Sequence, residues 1–178
     1  MSPPSIVDAK LALAFKAIDL SQDDRLSWPD LAGIAEELSS RLHADKEREL
    51  ELTEAFQSWW RQFETKTGDE VTLDRFISVM KTGMAAGPAF YQQGPGRIVD
   101  VLIRIADRNG DGIISKEDYL AFYGGSMADE SAVLAGYRKF DLNSDGAVTA
   151  DEFRQAAYEF FTSEDLDATG SFLLGRPE

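Results

Sequence analysis

The chain of 178 residues contains no cysteine and only one histidine, His43. The lack of cysteine excludes disulfide bonds, thiolate metal sites and a cysteine nucleophile. The histidine lies in the polar stretch 41–45, so it is expected at the surface and offers no partner for a catalytic serine. A glycine-rich phosphate loop between a strand and a helix is also missing. These absences predict that the protein is not an enzyme.

Long apolar runs are missing as well. No stretch approaches the roughly 18 consecutive apolar residues of a membrane-spanning helix. Residues 1–5 show no charged region followed by an apolar run, and Ser2 stands where N-myristoylation requires glycine. We therefore expect a cytoplasmic protein without membrane insertion.

Basic residues are scarce relative to acidic ones. The sequence has 18 lysines and arginines against 32 aspartates and glutamates, which gives a formal net charge of −14. Such a charge disfavours nucleic acid and suits the binding of cations. With 43% hydrophobic residues the chain can still build a folded core, and we expect a monomer.

A twelve-residue segment occurs four times with the same internal spacing. The four copies occupy residues 19–30, 64–75, 107–118 and 141–152. Apolar residues stand one, four and eight positions before each copy, and further apolar residues follow it. This spacing predicts an amphipathic helix on each side of every segment.

The eighth and ninth positions of the segments repeat too. The eighth residue is always apolar: Leu26, Val71, Ile114 and Val148. It is predicted to form a short strand that pairs one loop with its neighbour. The ninth residue is a helix-capping serine or threonine: Ser27, Thr72, Ser115 and Thr149. The sequence thus predicts an all-α fold of four helix–loop–helix units and eight main helices, arranged as two pairs in one compact body.

The predicted organisation has four parts. Residues 1–82 hold the first pair of units, residues 98–162 hold the second pair, and residues 163–178 form a tail that packs on the body. The intervening linker, residues 83–97, contains Gly87-Pro88 and Gly94-Pro95-Gly96, which disfavour an uninterrupted helix.

Three of the loops carry the oxygen ligands that calcium requires. Ca²⁺ takes six to eight oxygens, and alternating Asp or Asn residues around a tight turn, closed by an acid at position twelve, can supply them. The fourth loop offers Asp141, Asn143, Asp145, the Ala147 carbonyl, Thr149 and Glu152. The third loop offers Asp107, Asn109, Asp111, the Ile113 carbonyl, Ser115 and Asp118. The first loop offers Asp19, Ser21, Asp23, the Arg25 carbonyl, Ser27 and Asp30.

Two departures distinguish the first and third loops from the fourth. Asp30 and Asp118 replace the usual glutamate at position twelve and are one methylene shorter, so we expect reduced discrimination between Ca²⁺ and Mg²⁺ at both loops. In the first loop Asp24 stands at position six, where glycine is usual, although aspartate tolerates left-handed backbone better than most residues.

The second loop has lost its ligands. Its alternate positions read Glu64, Lys66, Gly68 and Glu70, and Arg75 stands at the closing position. Because two basic side chains occupy places where a cation would sit, this loop is predicted to be empty and to serve only in pairing with the first loop.

With three intact loops, a degenerate second loop and aspartate closing the first and third, the chain resembles the EF-hand sarcoplasmic calcium-binding proteins. It is especially similar to their bacterial relatives of the calerythrin type. The likeness runs from about Ala9 to Gly175 and includes the tail from Phe160 onward. It implies a compact four-hand domain that buffers Ca²⁺ and Mg²⁺ in the cytoplasm, with sites at the first, third and fourth loops.

Two other functions stay open. A calcium sensor would recruit a protein partner through a groove, and such grooves are often rich in methionine. Only Met80, Met84 and Met127 follow the initiator, so a buffer is favoured. A carrier of a small apolar ligand would need convergent polar groups in a pocket. The aromatic residues, including Trp59, Trp60, Phe160 and Phe161, are expected to be core or tail anchors instead.

Overall fold

The computed structural model describes residues 5–63, 70–123 and 130–174. Within them the chain forms α1 (Ile6–Ile18), α2 (Trp28–Arg41), α3 (Lys46–Trp60), α4 (Leu73–Ala86), α5 (Pro88–Gln93), α6 (Pro95–Ala106), α7 (Lys116–Phe122), α8 (Glu130–Phe140) and α9 (Ala150–Thr162). The eight helices predicted around the four loops are all present. Helix α5 is an additional short helix within the predicted linker.

Two minimal β-ladders join the loops in pairs. The strands are β1 (Arg25–Leu26), β2 (Val71–Thr72), β3 (Ile113–Ile114) and β4 (Val148–Thr149). Strand β1 pairs antiparallel with β2, and Leu26 lies opposite Val71. Strand β3 pairs in the same way with β4, and Ile114 lies opposite Val148. The predicted pairing through the eighth position is therefore confirmed, and it joins the first loop to the second and the third to the fourth.

The two Gly-Pro steps fold the middle of the chain onto helix α3. Helix α4 ends before Gly87, whose φ is +135°, and α6 begins directly after Gly94. A Cβ atom on Gly94 would lie 2.8 Å from the Trp59 ring, so only glycine allows this close approach. The hydroxyl of Ser58 donates to the Gln93 carbonyl at 2.7 Å, which ties α3 to the end of α5.

The hydrophobic core is shared between the two halves of the chain. One cluster of buried side chains surrounds Phe76, whose ring stacks on that of Phe63 at a centroid distance of 5.3 Å. Val101 of α6 and Phe160 of α9 also belong to this cluster, although they lie beyond the linker. A second cluster fills the third and fourth units around Tyr119. Because residues from both halves bury one core, the predicted compact body is confirmed.

The segment after α9 turns back onto that helix. A 3-10 helix at Thr169–Phe172 lies against α9 and α8. A Cβ atom on Gly170 would come within 2.4 Å of the Ala156 carbonyl oxygen, so the close contact requires glycine. None of the described helices is long and apolar enough to cross a membrane.

Helix α1 carries a buried lysine whose side chain caps the C-terminal end of α9. Lys10 is 0% exposed, which is rare for this residue type. Its Nζ donates to the carbonyl oxygens of Glu159 and Ser163, at 3.1 and 2.6 Å. These carbonyls lie at the end of α9, where a cation is favourable because the last carbonyls lack helical partners. Burial lowers the pKa of Lys10, and the nearby carboxylates of Glu164, Glu159 and Asp165 oppose that shift.

A second bond runs in the reverse direction between the same two helices. The carboxylate of Glu164, just after α9, accepts a hydrogen bond from the Val7 amide in the first turn of α1, at 3.3 Å. Lys10, Glu164 and their backbone partners together form a terminal clasp between the first and the last helix.

Replacement of Lys10 by methionine tests the terminal clasp. The Ser163 carbonyl would lose a charged donor inside the protein, so we expect Lys10→Met to lower the free energy of unfolding by about 2 kcal/mol. Denaturant unfolding at a fixed calcium concentration measures this change. Lys46→Met removes the same charge from an exposed position and should cost less than about 0.5 kcal/mol. Equal losses in both variants would show that the charge, and not the clasp, accounts for the effect.

Candidate calcium-binding loops

The first, third and fourth loops share an unusual backbone. In each of them the fourth and sixth residues have positive φ values between 56° and 89°. These residues are Gln22 and Asp24, Gly110 and Gly112, and Ser144 and Gly146. Asp24 therefore adopts, at a φ of 62°, the left-handed conformation that glycine supplies in the other two loops. The first loop has the same turn as its partners despite the missing glycine.

The acid at the first position fixes this turn in all three loops. Its Oδ2 atom accepts a hydrogen bond from the backbone amide of the sixth residue. The distances are 3.0 Å for Asp19, 2.9 Å for Asp107 and 2.8 Å for Asp141. The start of each loop is thereby joined to the middle of its turn by the same bond.

The acid at the fifth position holds the next peptide unit. The Oδ1 atom accepts from the amide of the seventh residue, at 2.9 Å for Asp23, 2.9 Å for Asp111 and 3.0 Å for Asp145. The seventh residue is the one whose carbonyl is predicted to bind the ion. Its position is therefore set by a carboxylate that is itself a predicted ligand.

The third position contacts its neighbours through a side chain. Asn109 donates from Nδ2 to Asp111 at 2.7 Å, and Asn143 does the same to Asp145 at 2.8 Å. In the first loop the Ser21 hydroxyl instead donates to Asp19 at 3.1 Å. The structure thus brings the predicted ligands together in pairs.

The closing acid at position twelve reaches back across two of the loops. Glu152 accepts from the Leu142 amide at 3.1 Å, and Asp30 accepts from the Ser21 amide at 2.9 Å. In all three loops the acid also accepts a hydrogen bond from the hydroxyl at position nine, at 2.6 Å for Asp30, 2.7 Å for Asp118 and 2.9 Å for Glu152. This bond places the acid on the first turn of the outgoing helix.

Burial differs between the loops. Most predicted ligands are exposed or half-buried, but Asp19 and Asp30 are only 8% and 4% exposed. Burial raises the pKa of the Asp30 carboxyl, yet the hydrogen bonds from Ser27 and Ser21 together outweigh it and leave that pKa below its ordinary value. The first loop therefore holds a charged carboxylate in the protein interior.

The acidic side chains do not yet converge on one point. Among the described residues no group of three or more His, Cys, Asp or Glu side chains is arranged to hold an ion. Their oxygens face loop amides and hydroxyls, whose donation offsets the repulsion between neighbouring carboxylates. The backbone frame fits a calcium loop, and the carboxylates would have to turn inward to enclose the ion.

The second loop is described only in part, since its residues 64–69, with Glu64, Lys66 and Gly68, lie outside the described ranges. The Arg75 guanidinium, at the closing position, donates to the Phe63 carbonyl just before the loop at 2.9 Å. Arg25 of the first loop forms an ion pair with Glu70 at 2.8 Å. The Arg75 side chain thus occupies the end of this loop, and the Arg25–Glu70 ion pair links the second loop to the first.

Some features of the site are not apparent from the ligand pattern. The ligand pattern does not predict the left-handed backbone of Gln22 and Ser144. The only sequence signal for this conformation is Gly110, which occupies the same position in the third loop. His43 is exposed, as the sequence predicts.

Comparisons with known proteins match the third and fourth loops to EF-hand profiles. The profile of an EF-hand domain pair matches residues 68–123, and a single EF-hand profile matches residues 138–157. The chain has no significant match among curated protein sequences.

Solved structures with a similar fold extend the likeness to almost the whole chain. A sarcoplasmic calcium-binding protein from amphioxus is 17% identical with a TM-score of 0.68, over 99% of this chain and 100% of that one. A Streptomyces coelicolor calcium-binding protein is 18% identical with a TM-score of 0.71, over 88% and 98%. The Ca²⁺-regulated photoprotein mitrocomin from the jellyfish Mitrocoma cellularia is 17% identical with a TM-score of 0.73, over 94% and 90%. The chain has the fold of four-EF-hand proteins, and two of its segments match EF-hand profiles.

Proposed function

We propose that the protein is a cytoplasmic buffer of Ca²⁺, and of Mg²⁺, with three binding sites at the first, third and fourth loops. The observation that carries this proposal is the hydrogen-bonded frame common to the three loops, in which the first acid binds the sixth amide and the fifth acid binds the seventh. The ion is the cargo of such a protein, and no catalytic step is involved.

The proposed ligands are the side-chain oxygens at positions one, three, five and twelve and the carbonyl at position seven. Three Ca²⁺ ions would change the formal net charge from −14 to −8. The shorter closing acids Asp30 and Asp118 support the binding of Mg²⁺ at the first and third loops, because Mg²⁺ accepts fewer ligands than Ca²⁺. The empty second loop is part of the proposal, and the Arg75 guanidinium supports it.

A buffer changes shape little when it binds ions, and the structure favours such behaviour. The core is shared between both halves, and the terminal clasp joins the first helix to the last. Met80 is fully buried. Large apolar side chains that are exposed in the described part of the chain are spread over two loops, two helices and one strand: Leu20, Leu142, Leu50, Tyr158 and Ile113. These features suit a monomeric buffer of the calerythrin type.

A sensor is the second candidate, and one finding favours it. The solved structure of the Streptomyces coelicolor protein is described as the basis for prokaryotic calcium-mediated regulation. A sensor of this kind would recruit a protein partner when calcium binds. The affinity separates the two functions, since buffers of this fold bind Ca²⁺ at about 10⁻⁹–10⁻⁸ M and sensors at about 10⁻⁷–10⁻⁵ M.

A carrier of a small organic ligand is the third candidate. The indole nitrogen of Trp59 and the side-chain oxygen of Gln62 are buried and have no hydrogen-bond partner among the described groups. An unpaired donor and an unpaired acceptor beside an aromatic core would suit a ligand with one polar end. Mass spectrometry of an organic extract of the purified protein tests this candidate, because a carrier would retain a stoichiometric ligand.

Calorimetric titration of the chelator-stripped protein tests the proposed function. We expect three Ca²⁺ sites, two of which weaken when millimolar Mg²⁺ is present. Two sites would mean that Asp24 disables the first loop, and four would show that Arg75 does not silence the second. Micromolar Ca²⁺ binding that is unaffected by Mg²⁺ would favour the sensor function.

Removal of the closing carboxylate tests the fourth site. Glu152→Gln replaces the bidentate ligand by a neutral amide, so we expect two Ca²⁺ sites to remain in the titration. Asp151→Asn is the matched control, since it removes one negative charge from the adjacent, 93% exposed side chain. The control should retain three sites. Loss of a site in both variants would mean that local charge, not ligation, had been tested.

The conformation at position six is tested in the first loop. Asp24→Gly removes the energetic cost of holding a residue with a Cβ atom in the left-handed conformation. We therefore expect Ca²⁺ affinity at this loop to rise about threefold. Asp24→Asn removes the same charge but keeps a side chain at the strained position, and it should not tighten binding. If both variants bind Ca²⁺ equally, the backbone at position six does not limit the first site.

A further inference from the structure

Tyr137 is a buried residue whose hydroxyl has no counterpart in the other units. It lies on α8, four residues before the fourth loop, and is 3% exposed. The residues at the same place before the other loops are Phe15, Trp60 and Ile103, none of which carries a hydroxyl. The apolar pattern of the incoming helices explains the ring of Tyr137 but not its oxygen.

The hydroxyl of Tyr137 lies within the ladder that joins the third and fourth loops. It donates to the Ile114 carbonyl at 2.9 Å and accepts from the Val148 amide at 3.2 Å. Ile114 and Val148 lie opposite each other in strands β3 and β4, and both are fully buried. One side chain from the incoming helix therefore bonds both strands.

The bond to Val148 also fixes a predicted ligand. The Val148 amide belongs to the same planar trans peptide unit as the Ala147 carbonyl, so an anchored N–H sets the direction of that carbonyl. The preceding unit is held as well, because the Ala147 amide donates to Asp145 at 3.0 Å. Both peptide units that flank Ala147 are thus anchored, one by the loop and one by Tyr137.

The ring of Tyr137 reaches the third unit as well. It packs edge-on against Tyr119 at a centroid distance of 5.2 Å. Tyr119 directly follows Asp118, the closing acid of the third loop, and is 1% exposed. Tyr137 therefore contacts the outgoing helix of the third loop and the strands of both loops. Its own helix, α8, leads into the fourth loop.

We propose that Tyr137 is a positioning residue for calcium at the fourth loop and links that loop to the third. Its hydroxyl orients the Ala147 carbonyl through the Val148 amide and restrains the third loop through the Ile114 carbonyl. This inference rests on the proposed function, in which both loops bind Ca²⁺. The first loop, with Phe15 at the equivalent position, has no such restraint from its incoming helix.

Tyr137→Phe in the full chain tests this role. Ca²⁺ titrations followed by the backbone amide resonances of Gly146, Gly112 and Asp24 report the fourth, third and first loops separately. We expect the affinity of the fourth loop to fall about fivefold, the equivalent of one hydrogen bond of about 1 kcal/mol. The Ca²⁺ affinity of the first loop should stay the same. The cooperativity of Ca²⁺ binding between the third and fourth loops should decrease.

Tyr119→Phe is the matched control, because it removes a buried hydroxyl from the same aromatic cluster. That hydroxyl bonds to Tyr123, whereas the Tyr137 hydroxyl bonds to the strands. The control should leave the fourth-loop affinity unchanged. Hydrogen exchange of the Val148 amide adds a readout that needs no metal, and it should be slow in the parent and in Tyr119→Phe but faster in Tyr137→Phe.

The outcomes separate this inference from the proposed function. Equal weakening of all three loops, or the same loss in Tyr119→Phe, would overturn the positioning role and indicate a general loss of stability. If Tyr137→Phe fails to fold, rapid exchange of the Val148 amide in the parent protein would still overturn it. A parent protein whose Gly146 amide does not respond to Ca²⁺ would overturn the proposed function and this inference together.

Discussion

The mutual repulsion of closely spaced carboxylates is the constraint on which the structure of the loops depends. Each intact loop holds four acidic residues among its twelve, and three of them are predicted ligands at positions one, five and twelve. Loop amides offset this repulsion by donating to the acids, and the left-handed residues at positions four and six turn those amides toward them. These bonds between carboxylates and amides therefore shape the first, third and fourth loops.

The two halves of the molecule are joined by contacts of different kinds. Apolar side chains of α6 and α9 enter the core of the first two units, and this burial supplies most of the attraction. The terminal clasp adds specific hydrogen bonds, because the Lys10 ammonium donates to two backbone carbonyls at the end of α9. A shift of α9 on ion binding would therefore also displace α1, which leads into the first loop.

Features encoded within a few residues could be predicted from the sequence, and features that depend on distant partners could not. The helices, the loops and the pairing of Leu26 with Val71 follow from a repeated local spacing. The short helix α5 escaped prediction because its Gly-Pro steps signal breaks but not what lies between them. The burial of Lys10 depends on carbonyls 149 and 153 residues away, and the bonds of Tyr137 depend on two strands. No periodic pattern encodes such contacts.

The distance along the chain between the partners of the terminal clasp affects how the protein is made. Ribosomes add about 5–20 residues per second, so the Glu159 carbonyl is synthesised roughly 7–30 seconds after Lys10. During that interval the first helix cannot reach its final packing, since its amine has no buried partner. The packing of the first helix is therefore completed only after the last helix has been synthesised. At this end of the molecule, the first helix to be made is among the last to reach its final contacts.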